Sequence, residues 1–167
     1  MSTAMFRKVA NRREGFSLVE LAVVVIIIGV LAAFGVPRML EAVERSKASE
    51  AFGYLSAIRS AQERYQAREG VYADNLSLLD LSQSDPKYFD VGDGTGAIDL
   101  TGGVESGPNL ENAWSLTLTR KAGASGYGEY TVTFTQEGFD LVNSTIYTDE
   151  NSRKICPVGD LPEPVGT

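Results

Sequence analysis

The chain has 167 residues, is 43% hydrophobic and carries a formal net charge of −7. That length bounds it to one modest globular domain plus a helical segment, and the acidic balance argues against non-specific nucleic-acid binding, which needs clustered Lys and Arg. There is no histidine, which removes His-based catalysis and His-ligated metals, and the single cysteine, Cys156, permits no disulfide within the chain.

Residues 1–15 are basic, with Arg7, Lys8, Arg12 and Arg13 against Glu14. An apolar run follows from Phe16 to Val36, with Glu20 as its only charge. No small-residue cleavage site follows that run, so the pattern is not an ordinary secretory signal. A spanning helix takes about 20 residues, and the run supplies them. The basic flank places the N-terminus in the cytoplasm and everything after Arg38 outside. An acidic residue at the centre of a spanning helix costs about 2.5–3.5 kcal/mol. Glu20 therefore asks for a partner.

From Met39 onward the apolar pattern becomes amphipathic. Leu40, Val43, Lys47 or Ala48, Ala51, Leu55, Ile58, Gln62 and Tyr65 recur at spacings of three and four. Glu41–Arg45 and Arg59–Glu63 are spaced for charge pairs along the helix. Gly70 is a stop signal. The pattern predicts one helix over residues 16–69, about 80 Å long at 1.5 Å per residue. Its first half, residues 16–37, is the membrane segment. Pro37 lacks an N–H and is expected to kink the rod, and Gly29 and Gly35 weaken the same region.

Residues 70–167 form the remaining region. Asp74 is a candidate cap for a short helical turn through NLSLLDL. Residues 82–112 read as an irregular connection with a brief strand at Lys87–Val91. Trp114, Leu116 and Leu118 then alternate with Ser115, Thr117 and Thr119, and Tyr130, Val132 and Phe134 alternate with threonines. This period of two marks half-buried antiparallel strands, with KAGASGYGE as their hairpin. Gln136-Glu137-Gly138 turns into a third strand, Phe139–Val142, and a fourth is expected over Ser144–Thr148. The fold class is α+β: a long helix packed on a small antiparallel sheet.

Chemistry is sparse in this region. Asp90, Asp93 and Asp99 fail the spacing of a calcium loop and read as turn residues, as do Asp149, Glu150 and Asn151. Arg120 and Lys121 read as a solvated turn near the hairpin tip. Cys156 reads as a packed thiol in a tail that also holds Pro162 and Pro164. No metal or other cofactor is expected.

The segment Gly15-Phe16-Ser17-Leu18-Val19-Glu20-Leu21, running into the apolar helix, resembles the type IV pilin and pseudopilin family. The resemblance covers residues 12 to about 69, and Gly29 and Pro37 also stand where the family usually has them. It implies the pilin fold, cleavage after Gly15 by a prepilin peptidase, and N-methylation of Phe16. It assigns Glu20 as the assembly charge, facing the amine of a neighbouring subunit. It assigns the Gly29–Pro37 region as helix that loosens in a filament. The implied partners are copies of the same chain, the peptidase, and an inner-membrane assembly platform driven by a cytoplasmic ATPase. The implied product is a pilus subunit. Alternatives are a type II secretion pseudopilin, a minor pilin in adhesion or DNA uptake, and a membrane-tethered enzyme or binding domain. The lack of a nucleophile motif and of paired catalytic acids weighs against the last. Many type IV pilins close a C-terminal loop with a disulfide, which this chain cannot form. Asn75-Leu76-Ser77 and Asn143-Ser144-Thr145 fit the N-glycosylation acceptor pattern and are set aside in a bacterial chain of this kind.

Overall fold

The computed structural model describes residues 15–100, 114–122 and 127–159. The basic segment 1–14, the later part of the 82–112 connection, the hairpin tip and the tail with Pro162 and Pro164 lie outside the described residues. The chain divides into two compact units at Arg38/Met39. Helix α1, Leu18–Glu69, belongs to both and continues through Pro37 without a break in its assignment.

In the first unit the apolar side chains of α1 from Leu18 to Val36 are mostly exposed. Among the described residues nothing covers them. A helix apolar on every side is built for surroundings other than water.

The second unit holds the core. Here α1 buries Glu44, Ala48, Ala51, Tyr54, Leu55, Ile58, Ala61 and Gln62. The spacing matches the expected face from Ala48 to Gln62. It departs at the start: Leu40 and Val43 are exposed, and the face continues backward through Glu44. The reason is geometric. A stripe stepping back from Ala51 by three and four residues passes Ala48 and reaches Glu44.

The stripe packs against a four-stranded antiparallel sheet in the order β1-β2-β3-β4. The strands are β1 (Phe89–Val91), β2 (Ser115–Arg120), β3 (Thr131–Thr135) and β4 (Gly138–Phe139). Leu118 stands opposite Val132 and Leu116 opposite Phe134, so large side chains fill the core face in register. Trp114, Phe89 and Tyr130 complete it, each almost fully buried. Full burial of a side chain of Leu or Phe size contributes about 1.5–3 kcal/mol. Phe52 of α1 meets Phe134 edge-on at 5.6 Å. On the opposite face Thr117 and Thr133 share a hydroxyl hydrogen bond of 2.8 Å.

Four expectations need correction. The strand expected at Phe139–Val142 ends at Phe139, because Asp140 Oδ1 accepts from the backbone N–H groups of Val142 and Asn143, both at 3.0 Å, and turns the chain. Ser144–Thr148 is not a strand. Thr145–Thr148 is a short helix, α2, and Glu150–Arg153 another, α3, capped by Asp149 accepting from Ser152 N at 2.8 Å. The cap of the Leu76–Leu78 turn is Asn75, not Asp74: Asn75 Oδ1 accepts from Ser77 N at 2.9 Å. Arg59 pairs with Glu63 at 3.4 Å, whereas among the described residues Glu41 and Arg45 make no ion pair.

Of the three acids expected in turns only Asp93 is in one, since Asp90 lies in β1 opposite Thr119 and Asp99 bridges Ser115. Gly92, Gly94 and Gly96 all have positive φ, and Asp93 Oδ1 accepts from Thr95 N at 2.9 Å. Asn75 and Ala97 form an isolated bridge that ties this loop to the turn before it.

Candidate functional site

The residues singled out at the N-terminus lie in one linear array. Gly15, Phe16 and Ser17 precede α1, Glu20 sits in its first turn, and Gly29, Gly35 and Pro37 lie within it. Phe16 is 79% exposed. A side chain added at Gly15, Gly29 or Gly35 would meet nothing within 4 Å. Among the described residues, therefore, no packing contact requires these glycines.

Glu20 has a local partner that sequence reasoning missed. Its Oε2 accepts from the backbone N–H of Ser17 at 2.9 Å, while Ser17 O accepts the first helical hydrogen bond from Leu21 N at 3.2 Å. This is half of a capping box, in which a glutamate three residues into the helix satisfies an orphan donor. The Ser-x-x-Glu spacing was the available signal. The carboxylate also lies at the positive end of the helix dipole. Glu20 is thus held at the helix start, among side chains that are otherwise apolar.

By length and composition α1 can cross a membrane. Its most apolar 18-residue window has a mean hydropathy of 2.8, and none of that window is buried.

The second unit contains a buried charge cluster. Glu44 is 0% exposed. Arg120 Nε donates to its Oε1 at 2.6 Å and Arg120 Nη2 to its Oε2 at 3.4 Å. Lys47 Nζ donates to Oε2 at 2.9 Å, and the Tyr130 hydroxyl to Oε1 at 3.2 Å. Arg120 Nη1 also donates to the carbonyls of Tyr88 and Lys121, at 3.3 and 2.6 Å. Arg120 is therefore buried in a network and not part of a solvated turn. Burial by itself raises the Glu44 pKa, but the hydrogen bonds from Arg120 and Lys47 outweigh it and hold the carboxyl below its ordinary range. The hydrogen bond to Glu44 raises Arg120 further. Burial, reinforced by the Glu44 charge, raises the Tyr130 hydroxyl strongly. The cluster fastens α1 to β2 and β3.

Other polar features are structural. Gln62, fully buried, donates to Ala73 O at 2.8 Å and accepts from Ala73 N at 2.9 Å. Tyr54 donates to Asp85 at 2.9 Å. Cys156 is buried, and that burial raises its thiol pKa. Among the described residues no group of three His, Cys, Asp or Glu side chains is placed to hold a metal ion. A polar cavity of about 440 Å³ opens between Asn75, Asp85, Asp90, Thr95 and Lys121.

Comparison with known proteins places this array in a family. Residues 10–36 match the prokaryotic N-terminal methylation motif. A fimbrial protein of Pseudomonas aeruginosa is 32% identical over 124 residues, which cover 65% of this chain and 80% of that protein. The type IV major pilin protein PilA of Myxococcus xanthus is 43% identical over 63 residues, 38% of this chain and 29% of that protein. The type II secretion system core protein G of Pseudomonas aeruginosa is 36% identical over 76 residues, 46% of this chain and 54% of that protein. The chain thus spans about half or less of the length of several curated relatives that it matches, between 29% and 54%. No solved structure matches it significantly. The long helix, the small antiparallel sheet, the methylation motif and the extended match to the fimbrial protein together make the chain a member of the type IV pilin and pseudopilin family.

Proposed function

We propose that this chain is a structural subunit of a type IV pilus-like filament and acts by assembly without catalysis. The observation that carries this reading is the uncovered apolar half of α1, led by the Gly15-Phe16 pair and holding Glu20 as its one charge. In the bilayer that surface is covered by lipid. In a filament it is covered by the same helix of neighbouring subunits, and burial of apolar surface contributes about 25 cal/mol per Å². Cleavage after Gly15 frees the amine of Phe16, which is then N-methylated. That cation is the counter-ion for Glu20 of a subunit already in place. A prepilin peptidase, an inner-membrane assembly platform and its ATPase are the partners this route requires. Before assembly the chain sits in the inner membrane with its N-terminus in the cytoplasm. Gly29, Gly35 and Pro37 are where α1 can loosen as the helices bundle. The open space around Gly29 and Gly35 among the described residues and the exposure of Pro37 support that role.

The similarity to the type II secretion core protein supports a second reading, a pseudopilus subunit. Mass spectrometry of filaments sheared from cells separates the two, since a surface pilus yields this chain and a periplasmic filament does not.

The deciding experiment compares Glu20→Gln with Glu20→Ala. Glutamine keeps the hydrogen bond that caps the helix but carries no charge. Both variants should be cleaved normally, giving an N-methylated Phe16 by N-terminal mass spectrometry, and both should fail to build filaments at wild-type levels. Deleting one partner of a buried ion pair costs about 3–5 kcal/mol, and that loss recurs at every subunit. Wild-type filament yield with Glu20→Gln would reduce Glu20 to a helix cap. A mature chain that does not start at Phe16 would sink the processing step itself.

A further inference from the structure

We propose that Asn143, Ser144 and Thr145 form a side-chain clasp that takes the place of a further strand on β3 and closes that edge to an extended segment of a second copy of this chain. In an antiparallel ladder, alternate residues direct their backbone groups to opposite sides. Arg120 N donates to Tyr130 O at 2.8 Å, so Tyr130, Val132 and Phe134 direct theirs toward β2. Thr131 and Thr133 direct theirs to the other side. There β4 pairs with Phe134 and Thr135 and Asp140 N donates to Thr133 O at 2.9 Å, so among the described residues no neighbouring strand reaches the Thr131 and Thr133 amides.

Hydroxyl groups fill the gap. Ser144 Oγ accepts from Thr133 N at 2.9 Å and reaches Thr133 O at 3.4 Å, while the shorter donor to that carbonyl is Asp140 N at 2.9 Å, so the hydroxyl takes the acceptor part of a strand residue. Thr145 Oγ1 accepts from Thr131 N at 2.7 Å, and Thr145 N donates in return to Thr131 Oγ1 at 3.1 Å. Thr133 Oγ1 donates to Asn143 O at 3.1 Å. Asn143 is itself pinned, its Nδ2 donating to Asp140 Oδ2 at 2.8 Å. Ser144 is fully buried. The Asn-Ser-Thr triplet, which resembles a glycosylation acceptor in sequence, thus has its amide and both hydroxyls engaged in the fold.

The segment that the clasp guards identifies what it keeps out. Tyr130–Thr135 reads YTVTFT. It has no charge, no proline and no glycine, and every residue is β-branched or aromatic. Six-residue segments of that composition pair with copies of themselves, and an open strand edge is the template for it.

The test uses the full chain in detergent micelles and the double variant Ser144→Ala/Thr145→Val, with Thr145→Ser as the hydroxyl-retaining control. Hydrogen exchange read by NMR should rise about tenfold or more at the Thr131 and Thr133 amides, through opening of that edge alone. Val132 and Phe134, which face β2, should stay protected. A synthetic peptide of residues 130–135 should bind the double variant and neither the wild type nor Thr145→Ser. Two results overturn the proposal. One is unchanged exchange at Thr131 and Thr133. The other is an even rise across β2 and β3, which would mean that the triplet stabilises the sheet as a whole and guards no edge. If the double variant does not fold, Thr145→Val alone carries the test at the Thr131 amide, with the same criteria.

Discussion

Removing the Glu44 carboxylate tests how the second unit is fastened. The substitution Glu44→Leu leaves the Arg120 guanidinium, only 5% exposed, without its counter-ion. It also strips the Tyr130 hydroxyl of its acceptor. Breaking a buried pair from one side costs about 3–5 kcal/mol, and a buried donor left unpaired adds about 1–3 kcal/mol. Domain stabilities are about 5–15 kcal/mol, so the single variant should stand close to unfolding. Replacing the whole cluster should behave differently. An apolar exchange of a buried ion pair is often neutral or stabilising, so Glu44→Leu/Arg120→Met/Tyr130→Phe should recover most of the loss. Urea unfolding followed by the fluorescence of Trp114, the only tryptophan and fully buried, reads both values. The pH dependence supplies a second arm. The folded pKa of Glu44 is depressed from 4.5, so its contribution is present above about pH 4.5 and is lost as pH falls through the lower, folded value. The triple variant should lack that part of the acid slope. A cost for Glu44→Leu below about 1 kcal/mol, the range of an exposed pair, would refute the reasoning.

A fragment beginning at Arg38 should fold, because the unit boundary falls at Arg38/Met39 and the core lies beyond it; circular dichroism should show helix and strand lost in one cooperative transition. Gln62→Leu should cost about 1–3 kcal/mol for each group it leaves unpaired at Ala73, measured by urea unfolding of the same fragment. At alkaline pH the fragment should lose stability early. Burial, with the Asp85 hydrogen bond, pushes Tyr54 from 10 up to about 12. A raised folded pKa contributes fully below pH 10 and is lost as pH rises toward 12. Tyr54→Phe should flatten that limb of the stability profile.

Much of this fold was legible because two periods carry it. The steps Ala48, Ala51, Leu55, Ile58 and Gln62 gave the inner face of α1, and the alternation in β2 and β3 gave the sheet. The buried ion pair was missed, although the same rules bear on it. Arg120 follows Leu118 by two residues and so faces the core, and Glu44 precedes Ala48 by four. Charge argued against burial at each position considered alone, and only their meeting across α1 and β2 removes the objection. That meeting is tertiary. The segment Ser144–Thr148 went wrong for a different reason. Its β-prone composition suits a strand, but Asp140 turns the chain, and the hydroxyls of Ser144 and Thr145 then satisfy β3 while their own backbone starts a helix. Propensity cannot distinguish a residue that pairs through its backbone from one that pairs through its side chain. At the N-terminus the methylation motif was legible, while the Ser17–Glu20 cap, signalled by the Ser-x-x-Glu spacing, was missed.

Glu20 and Glu44 lie on one helix and meet the same cost, a carboxylate among apolar neighbours, in opposite ways. Glu44 is paid in full within the chain, with two cations and a hydroxyl around it, so the folded subunit has nothing further to gain there. Among the described residues Glu20 receives one backbone hydrogen bond and no cation, and its side-chain neighbours are exposed. A single neutral donor satisfies one lone pair and leaves the charge uncompensated. Water or a headgroup can supply that compensation at the membrane edge; hydrocarbon cannot. The difference makes a subunit whose second unit is complete by itself and whose first unit is not. The ordering of consequences follows. Substitutions at Glu44 should change the stability of a single chain at any concentration. Glu20→Gln, which keeps the cap hydrogen bond, should leave that stability unchanged and act only where chains meet.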